Sequence, residues 1–509
     1  MRDSVVFFLN RERQEVSGED AFLNVSEYLR NRRGLTGTKV VCSEGDCGAC
    51  TVMVSRWSGG TFGPYLTLNS CIAPVFSLDR CHLLSVEGLK GPDGLHPVQQ
   101  AMVEAHGAQC GYCTPGFICS LVSAFDQVRD QARDPAGGPP GSRINEKWIR
   151  NQLTGNLCRC TGYEPILTAG LKVSPSGLPA LSSASDRAVM AKEFDLLPDG
   201  PVEIPACGRK VHLAGDLPDA LVFLARNPAS KVISGATDLG VVANKRNLRP
   251  DSLLGLYRVA ELHRIEERGN GVWIGARASL SSVERALERD FPEFSRLLHV
   301  FASPQIKNSG TLIGNLMNAS PIGDTIPFLR VADAQVELRS AGGIRSVRVD
   351  EFIRPGYKQL DVLPGELVTG VWIPKTSSRF KLYKVSTRKD LDISTVAFAA
   401  RYRLEGSRLA DFAMALGGVG PSVLRMPSIE ARLLGIDFSD AGTPAAFLAA
   451  AEAIRGEISP LSDVRGSEEY RQQLCRNLLL RFHDEVSPEV ASSFTGHGAM
   501  NVAVKGASV

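Results

Sequence analysis

The sequence predicts an α+β protein of several domains, on three observations. At 509 residues the chain is too long for one core, and the usual ~150 residues per domain suggests three or four. Ten of its twelve cysteines fall in the first 160 residues, with only Cys207 and Cys475 beyond. The texture then changes twice, to alternating strands and helices with many glycines from about 193, and to a strand–loop–strand run ending in helices from about 380. Hydrophobic content of 43% and charged content of 22% are those of a globular protein, and a net charge of +2 gives no reason to expect nucleic acid or a membrane surface as partner.

In order along the chain, residues 4–9 and 51–56 read as strands, with a short helix near 25–33. The apolar run Val5–Leu9 is too short for an export signal, and nothing approaches the ~18 apolar residues of a membrane span, so the expected location is cytoplasmic. Helical spacing follows at 96–108. A second helix at 114–128 opens on Thr114 as N-cap and Pro115 in the first turn. The stretch 133–143, "RDPAGGPPGSR", suits neither helix nor strand and reads as a surface insertion. Residues 145–160 look helical again. Residues 172–192 are rich in Ser, Pro and Ala without a period, and read as an exposed, flexible linker. Three helices close the chain, at "PSIEARLLG", "PAAFLAAAEAI" and "EEYRQQLCRNLLLRFHDEV". No internal repeat is visible.

In a reducing compartment a one-sided cysteine cluster points to metal. Cys42, Cys47 and Cys50 are spaced C-x4-C-x2-C, and Cys71 follows. That is the local spacing of plant-type [2Fe–2S] ferredoxins. Soft thiolates suit iron and sulfide, and Gly45 and Gly48 let the backbone curl around a cluster and aim N–H groups at it. Structural zinc, usually held by C-x2-C pairs, fits this spacing poorly. A second group joins Cys110 and Cys113 (C-x2-C) to Cys158 and Cys160 (C-x-C). The last pair is too tight for a zinc knuckle but can ligate one iron of a binuclear cluster. Cys113 sits just before the second expected helix, whose positive end would offset cluster charge. Of the remaining cysteines, Cys119 falls inside that helix and reads as a small buried hydrophobe.

No G-x-G-x-x-G follows a strand and opens a helix, so a Rossmann site is not expected. In "KVISGATDLGV" (231–241), though, an apolar strand enters a turn whose successive N–H groups could form a nest for a pyrophosphate. "FASPQIKNSGTLIGNLMNASPIGDTIP" (301–327) mixes small residues, amides and one acid, and a loop-rich stretch of this length inside a domain is usually functional.

Together "CSEGDCGACTV", "QCGYCTPGF" and "GNLCRCTGY" resemble the iron–sulfur half of the molybdenum hydroxylase family, which includes xanthine dehydrogenases and aldehyde oxidoreductases. The 301–327 segment, "WIGARASLSSVE", "FIRPGYKQL…PGELV" and "KVSTRKDLDIS" resemble its FAD-binding region, a vanillyl-alcohol oxidase-type fold. "GGVGPSVLRMPSIEARLLG" resembles the C-terminal cap of that region. The resemblance implies a β-grasp [2Fe–2S] ferredoxin domain over 1–90, a four-helix [2Fe–2S] domain over 91–171 and the linker at 172–192. It further implies an FAD-binding domain over 193–378, a small α+β cap over 379–492 and a tail over 493–509. It assigns Cys42, Cys47, Cys50 and Cys71 to one cluster, and Cys110, Cys113, Cys158 and Cys160 to the other. Gln109 would lie near the pterin of a partner's molybdenum centre.

For FAD, the resemblance carries a pyrophosphate loop onto Val232, Ile233, Ser234, Gly235, Ala236, Thr237, Asp238 and Leu239. Further contacts fall on Phe301, Ala302, Thr311, Asn315 and Asp324, with Val368 and Lys384 near the ring or its edge. Taken without the resemblance, Asp324 reads as a turn-capping carboxylate and Lys384 as a solvated strand lysine. Three departures from the family stand out. The 44-residue gap between Cys113 and Cys158 is long, Lys307 stands where arginine is common, and Ile313 where glycine is common.

Nothing in the chain resembles the family's long molybdopterin-binding portion. The order of parts looks like the small subunit of a two-chain bacterial xanthine dehydrogenase, expected to pair with a molybdopterin-binding large subunit as a heterotetramer of two small and two large chains. NAD is the expected electron acceptor. No catalytic acid or base is expected here: the eight histidines are scattered, and neither a Ser–His–Asp nor an H-E-x-x-H pattern is present. Aldehyde or N-heterocycle hydroxylases, a stand-alone NADH:acceptor flavoprotein and a zinc-dependent scaffold are the competing readings.

Overall fold

The structure is a computed structural model that describes residues 1–91, 94–129, 144–181 and 186–494. The expected insertion at 133–143 and most of the 493–509 tail lie outside the described residues.

Four sheets organise the chain. In the first, Ser4–Leu9 pairs antiparallel with Glu12–Ser17 and parallel with Cys81–Leu84, and Thr51–Ser58 continues the sheet. Ser4–Leu9 is buried throughout, as its unbroken apolar run requires, whereas Glu12–Ser17 buries only Gln14 and Val16. The short helix expected near 25–33 is a turn of α-helix, Val25–Glu27, running into a π-helical turn, Tyr28–Arg32.

Four helices follow: Pro97–Glu104, Thr114–Arg129, Glu146–Gln152 and Glu164–Lys172. The His96 ring accepts from Val98 N–H and starts the first, and the Asn145 side chain accepts from Trp148 N–H and starts the third. Phe117, Leu121 and Phe125, one turn apart, fill the core of this unit. Thr114 is the first residue of its helix rather than its cap, and its hydroxyl has no partner. Cys119 is fully buried, and burial pushes its thiol up to about 12, which accords with a small apolar core residue.

The stretch expected as a flexible linker is instead anchored on both sides of 182–185. Leu181 joins the four-helix core. Arg187–Asp195 is a helix whose Met190 and Phe194 pack on Val6 and Phe8 of the first sheet. The sequence hid this because two large apolar residues on so short a helix leave little periodic signal.

The second sheet runs Val202–Ala206, Arg209–Leu213, Ser252–Gly255, Lys231–Ile233. The third, around Leu367–Pro374, and the long helical run 280–331 share the largest core. The fourth is the antiparallel Arg379–Val385, Val396–Glu405, Arg408–Gly417 and Leu424–Arg425, backed by Pro427–Leu433, Thr443–Ala453 and Glu468–Phe494. The first sheet is tied to the second: Arg2 pairs with Val202 and accepts from Glu203 N–H. Buried Asp79 accepts from Arg2 at 2.8 Å and from Val6 N–H at 3.0 Å, and Arg258 lies 3.3 Å from it. The parts therefore meet through specific polar joints.

Candidate functional site: two thiol clusters beside a cavity

The first thiol group sits on the loop that enters strand Thr51–Ser58. Ser43, Gly45 and Gly48 all take left-handed φ, at 55°, 78° and 68°, which curls the loop inward. Glu44 and Cys47 both donate their backbone N–H to the Cys42 sulfur at 3.5 Å. Asn69, at the end of strand Leu66–Asn69, donates to Gly45 O at 2.7 Å and brings Cys71 under the loop. The four sulfurs are linked by hydrogen bonds. Hydrogen bonds from Cys47 and Cys71 hold the Cys42 thiol far below its ordinary range, and the same bonds push Cys47 and Cys71 up. Cys50 is held down by its bond with Cys71.

The second group lies where Thr114–Arg129 begins. Cys110 and Cys160 are exposed, with their sulfurs 3.4 Å apart. Cys113 is bonded to Cys158, and burial followed by that bond pushes its thiol up to about 12. Tyr163, with φ 71°, turns its hydroxyl back to accept from Cys158 N–H at 3.1 Å.

These donors fit binuclear clusters. In the first group Cys42 faces both Cys47 and Cys71, and Cys71 also faces Cys50; in the second, Cys110 faces Cys160 and Cys113 faces Cys158. Two thiolates on one tetrahedral ion with ~2.3 Å bonds lie about 3.8 Å apart, close to the Cys110–Cys160 spacing of 3.4 Å. Four thiols per group are enough for two ligands on each of two ions. Among the described residues no group of three or more His, Cys, Asp or Glu is set around a single ion.

The two groups are locked together by residues the sequence did not single out. Leu157 N–H donates to Cys47 O at 3.0 Å, and the Asn156 amide to Gly48 O at 3.1 Å. The Gln305 amide, from the 301–327 segment, donates to Thr51 Oγ1, Ser120 Oγ and Asn156 Oδ1 at 3.0–3.2 Å, all buried. One amide thus touches the first thiol loop, the helix after Cys113 and the turn before Cys158. Neighbouring small residues make room for it: a Cβ on Gly155 would fall 2.0 Å from Gln305 Oε1. The lone signal for this joint in the sequence was the run of small and amide residues beside each motif.

The expected flavin segments divide. Phe301, Ala302, Asn315 and Asp324 line one cavity of about 310 Å³, and Leu391, Asp392 and Ile393 close its far side. Its remaining wall is Glu44, Gly45 and Asp46, from the first thiol loop itself. Burial raises the Asp46 carboxyl above its ordinary value. Strand Lys231–Ile233 (with Val232) leads into Ser234, Gly235 and Ala236. Ala236 takes φ 61° at the start of helix Thr237–Arg246, which has no side-chain cap and so presents free N–H groups; Asp238 and Leu239 lie in its first turn. A Cβ on Gly235 would meet Ser309 O at 2.3 Å, so that turn packs directly against the 301–327 segment. Thr311 caps helix Leu312–Asn318 by accepting from Gly314 N–H at 2.9 Å.

Asp324 and Lys384 are neither a turn cap nor a solvated lysine. They form an ion pair at 2.6 Å with side chains 6% and 5% exposed, and Ser394 donates to the second carboxylate oxygen at 2.5 Å. Lys384 thus reaches the cavity wall through Asp324. Val368 is buried in the largest core and does not line the cavity. Of the departures, Lys307 pairs with Glu284 at 2.6 Å in the interior, and Ile313 packs in the core. Gln109 is exposed, next to exposed Cys110.

Four family models match in sequence. They are a 2Fe-2S iron-sulfur cluster binding domain at 7–75, a [2Fe-2S] binding domain at 85–171, an FAD binding domain in molybdopterin dehydrogenase at 207–376, and a CO dehydrogenase flavoprotein C-terminal domain at 381–486. Xanthine dehydrogenase 1 of Arabidopsis thaliana is 30% identical over 562 residues, covering 95% of this chain and 40% of that protein. Rat xanthine dehydrogenase/oxidase is 29% identical over 448 residues (78% and 33%), and aldehyde oxidase 2 of Cavia porcellus 27% over 550 (96% and 40%). The chain therefore spans well under half the length of these relatives. Among solved structures, reconstituted CO dehydrogenase from Oligotropha carboxidovorans matches with TM-score 0.50 and 26% identity, covering 55% of this chain and 96% of that one. Quinoline 2-oxidoreductase from Pseudomonas putida 86, at 24% identity and TM-score 0.50, shares the fold. The order of these domains, with the thiol groups and the cavity they adjoin, makes the chain an iron–sulfur and FAD portion of the molybdenum hydroxylase family.

Proposed function

We propose that this chain is the electron-transfer component of a xanthine dehydrogenase, working with a separate molybdopterin-binding large subunit in a heterotetramer of two small and two large chains. When bound, the two [2Fe–2S] clusters and FAD supply one-electron relay and hydride transfer to NAD⁺. One observation carries this reading: the first thiol loop forms a wall of the cavity that the FAD-binding segments line.

The residues of the chain support it in sequence. Cys110 and Cys160 lie exposed, with Val41, Tyr112 and Leu157 presenting apolar surface around them, which suits a docking face for the molybdenum-bearing partner. Asn156, Ser120 and Thr51 hold the second thiol group against the first through buried hydrogen bonds. Gly45 and Asp46 then bring the first group to the cavity, where the flavin would pass electrons on to NAD⁺. Aldehyde oxidase 2 aligns over as much of the chain as the xanthine dehydrogenases, so an aldehyde- or N-heterocycle-oxidising assembly is the second reading.

Co-expression with candidate molybdopterin-binding chains, followed by assay with a panel of xanthine, aldehydes and N-heterocycles, tests the proposal. Reduction of NAD⁺ with xanthine supports it. Turnover with aldehydes alone selects the second reading, and full NADH oxidation by the isolated chain without a partner argues against both. Cys158→Ser is expected to lower iron from about four to about two per chain, with the first group unaffected; loss of all iron would contradict the assignment of two separate ligand sets.

A further inference from the structure

A second cavity, of about 240 Å³, lies between the first sheet and the flavin-binding region. Val54, Leu66 and Leu68 form an apolar wall, and Arg56, Tyr257 and Arg277 make its polar end. Arg277 is 8% exposed. Among the described residues its guanidinium makes one hydrogen bond, a long 3.5 Å contact to Ser309 O, and its Nε has no partner. Arg56 donates to Ser77 O at 3.0 Å and Asp79 O at 3.5 Å, both carbonyls. Both guanidinium groups lie over the Tyr257 ring, at 5.9 and 5.2 Å, and the buried Tyr257 hydroxyl is unpartnered.

Nothing negative offsets this charge among the described residues. The carboxylate of Asp79, whose carbonyl Arg56 reaches, is already committed to Arg2, Arg258 and Val6 N–H. His263, the other titratable group lining the cavity, bonds to Tyr257 O at 3.2 Å and is kept neutral, its pKa pushed down to about 3 by burial and then by Arg277 and Arg56. A buried cation, Arg277, beside a half-buried one, Arg56, without a counter-charge is unfavourable, and such groups are normally paired. Guanidinium forks match oxyanions geometrically.

We propose that this cavity is a binding site for a small oxyanion of the phosphate type, held by Arg277, Arg56 and the Tyr257 hydroxyl, and that its occupancy clamps the ferredoxin-like sheet to the flavin-binding region. The cavity's volume of about 240 Å³ limits the ligand to a compact anion. The site meets the expected pyrophosphate turn only at Gly235 and Ala236, so it is separate from the cavity beside the first thiol loop.

The test is calorimetric titration of inorganic phosphate into the full, cofactor-loaded chain at constant ionic strength, with the melting temperature followed in parallel. Saturable binding of one phosphate per chain and a rise in melting temperature are expected. Arg277→Met should weaken binding at least tenfold while retaining iron and flavin, and, with an uncompensated charge gone, should melt no lower than wild type in phosphate-free buffer. Arg277→Lys, which keeps the charge, should bind more weakly than wild type but more tightly than Arg277→Met. No binding to wild type would mean that water alone fills the cavity, and equal binding by Arg277→Met would place the anion elsewhere. Release of FAD in proportion to phosphate bound would assign the anion to the nucleotide's own site. Any of these three results overturns the proposal.

Discussion

Gly48→Ala is expected to remove iron from both thiol groups together. The new Cβ would lie 2.1 Å from Gly155 O and 2.7 Å from Asn156 Nδ2, in a loop whose φ of 68° already disfavours a side chain. Its main obstacle is backbone, which cannot swing aside. Left-handed strain and overpacking together cost about 2–5 kcal/mol. The damage falls on the seam, because Gly48 O also accepts from the Asn156 amide and the Thr51 hydroxyl, and Leu157 binds Cys47 O next door. Gly116 packs on the other side, its Cβ position 2.2 Å from the same Gly48 O. Iron per chain and the thermal transition check this. A variant that lost only the first group's iron and melted normally would show that the two groups are independent.

Lys384→Met is expected to destabilise the flavin region by about 3–5 kcal/mol. It leaves the Asp324 carboxylate buried with only the Ser394 hydroxyl on one oxygen. Because Asp324 lines the cavity with Phe301 and Asn315, FAD content should fall as well. The double variant Lys384→Met/Asp324→Leu removes both charges, so it should be much milder in stability than the sum of the single changes, though flavin content need not recover. Melting curves and flavin per chain for the three variants measure the coupling. A Lys384→Met chain that melts with the wild type would show the pair to be solvated.

The cysteine spacings carried the most information because thiolate ligands tolerate few alternatives: all eight assigned sulfurs converge in two groups of four. The turn at 234–236 was legible by composition, and the helix after Ala236 begins uncapped as a phosphate nest requires; the 301–327 segment, expected to be loop-rich, is instead mostly helical, with Pro304–Ser309 and Leu312–Asn318 joined by short turns. What could not be read was long-range. Glu44 and Asp46 face the cavity, and Gln305 reaches three separate segments, because tertiary packing brings together positions some 150 to 250 residues apart. Resemblance likewise could not show that Val368 lies in the core rather than on the cavity wall. The 172–192 stretch misled for a related reason: Phe194, just beyond it, anchors the helix, and a residue outside the window is invisible to composition.

Low-temperature electron paramagnetic resonance of the fully reduced chain, with spins counted, tests most directly whether eight thiols hold two binuclear clusters next to the flavin. About two spins per chain in two distinguishable [2Fe–2S] signals are expected. A single signal, or a spectrum silent because zinc fills the sites, would contradict that arrangement.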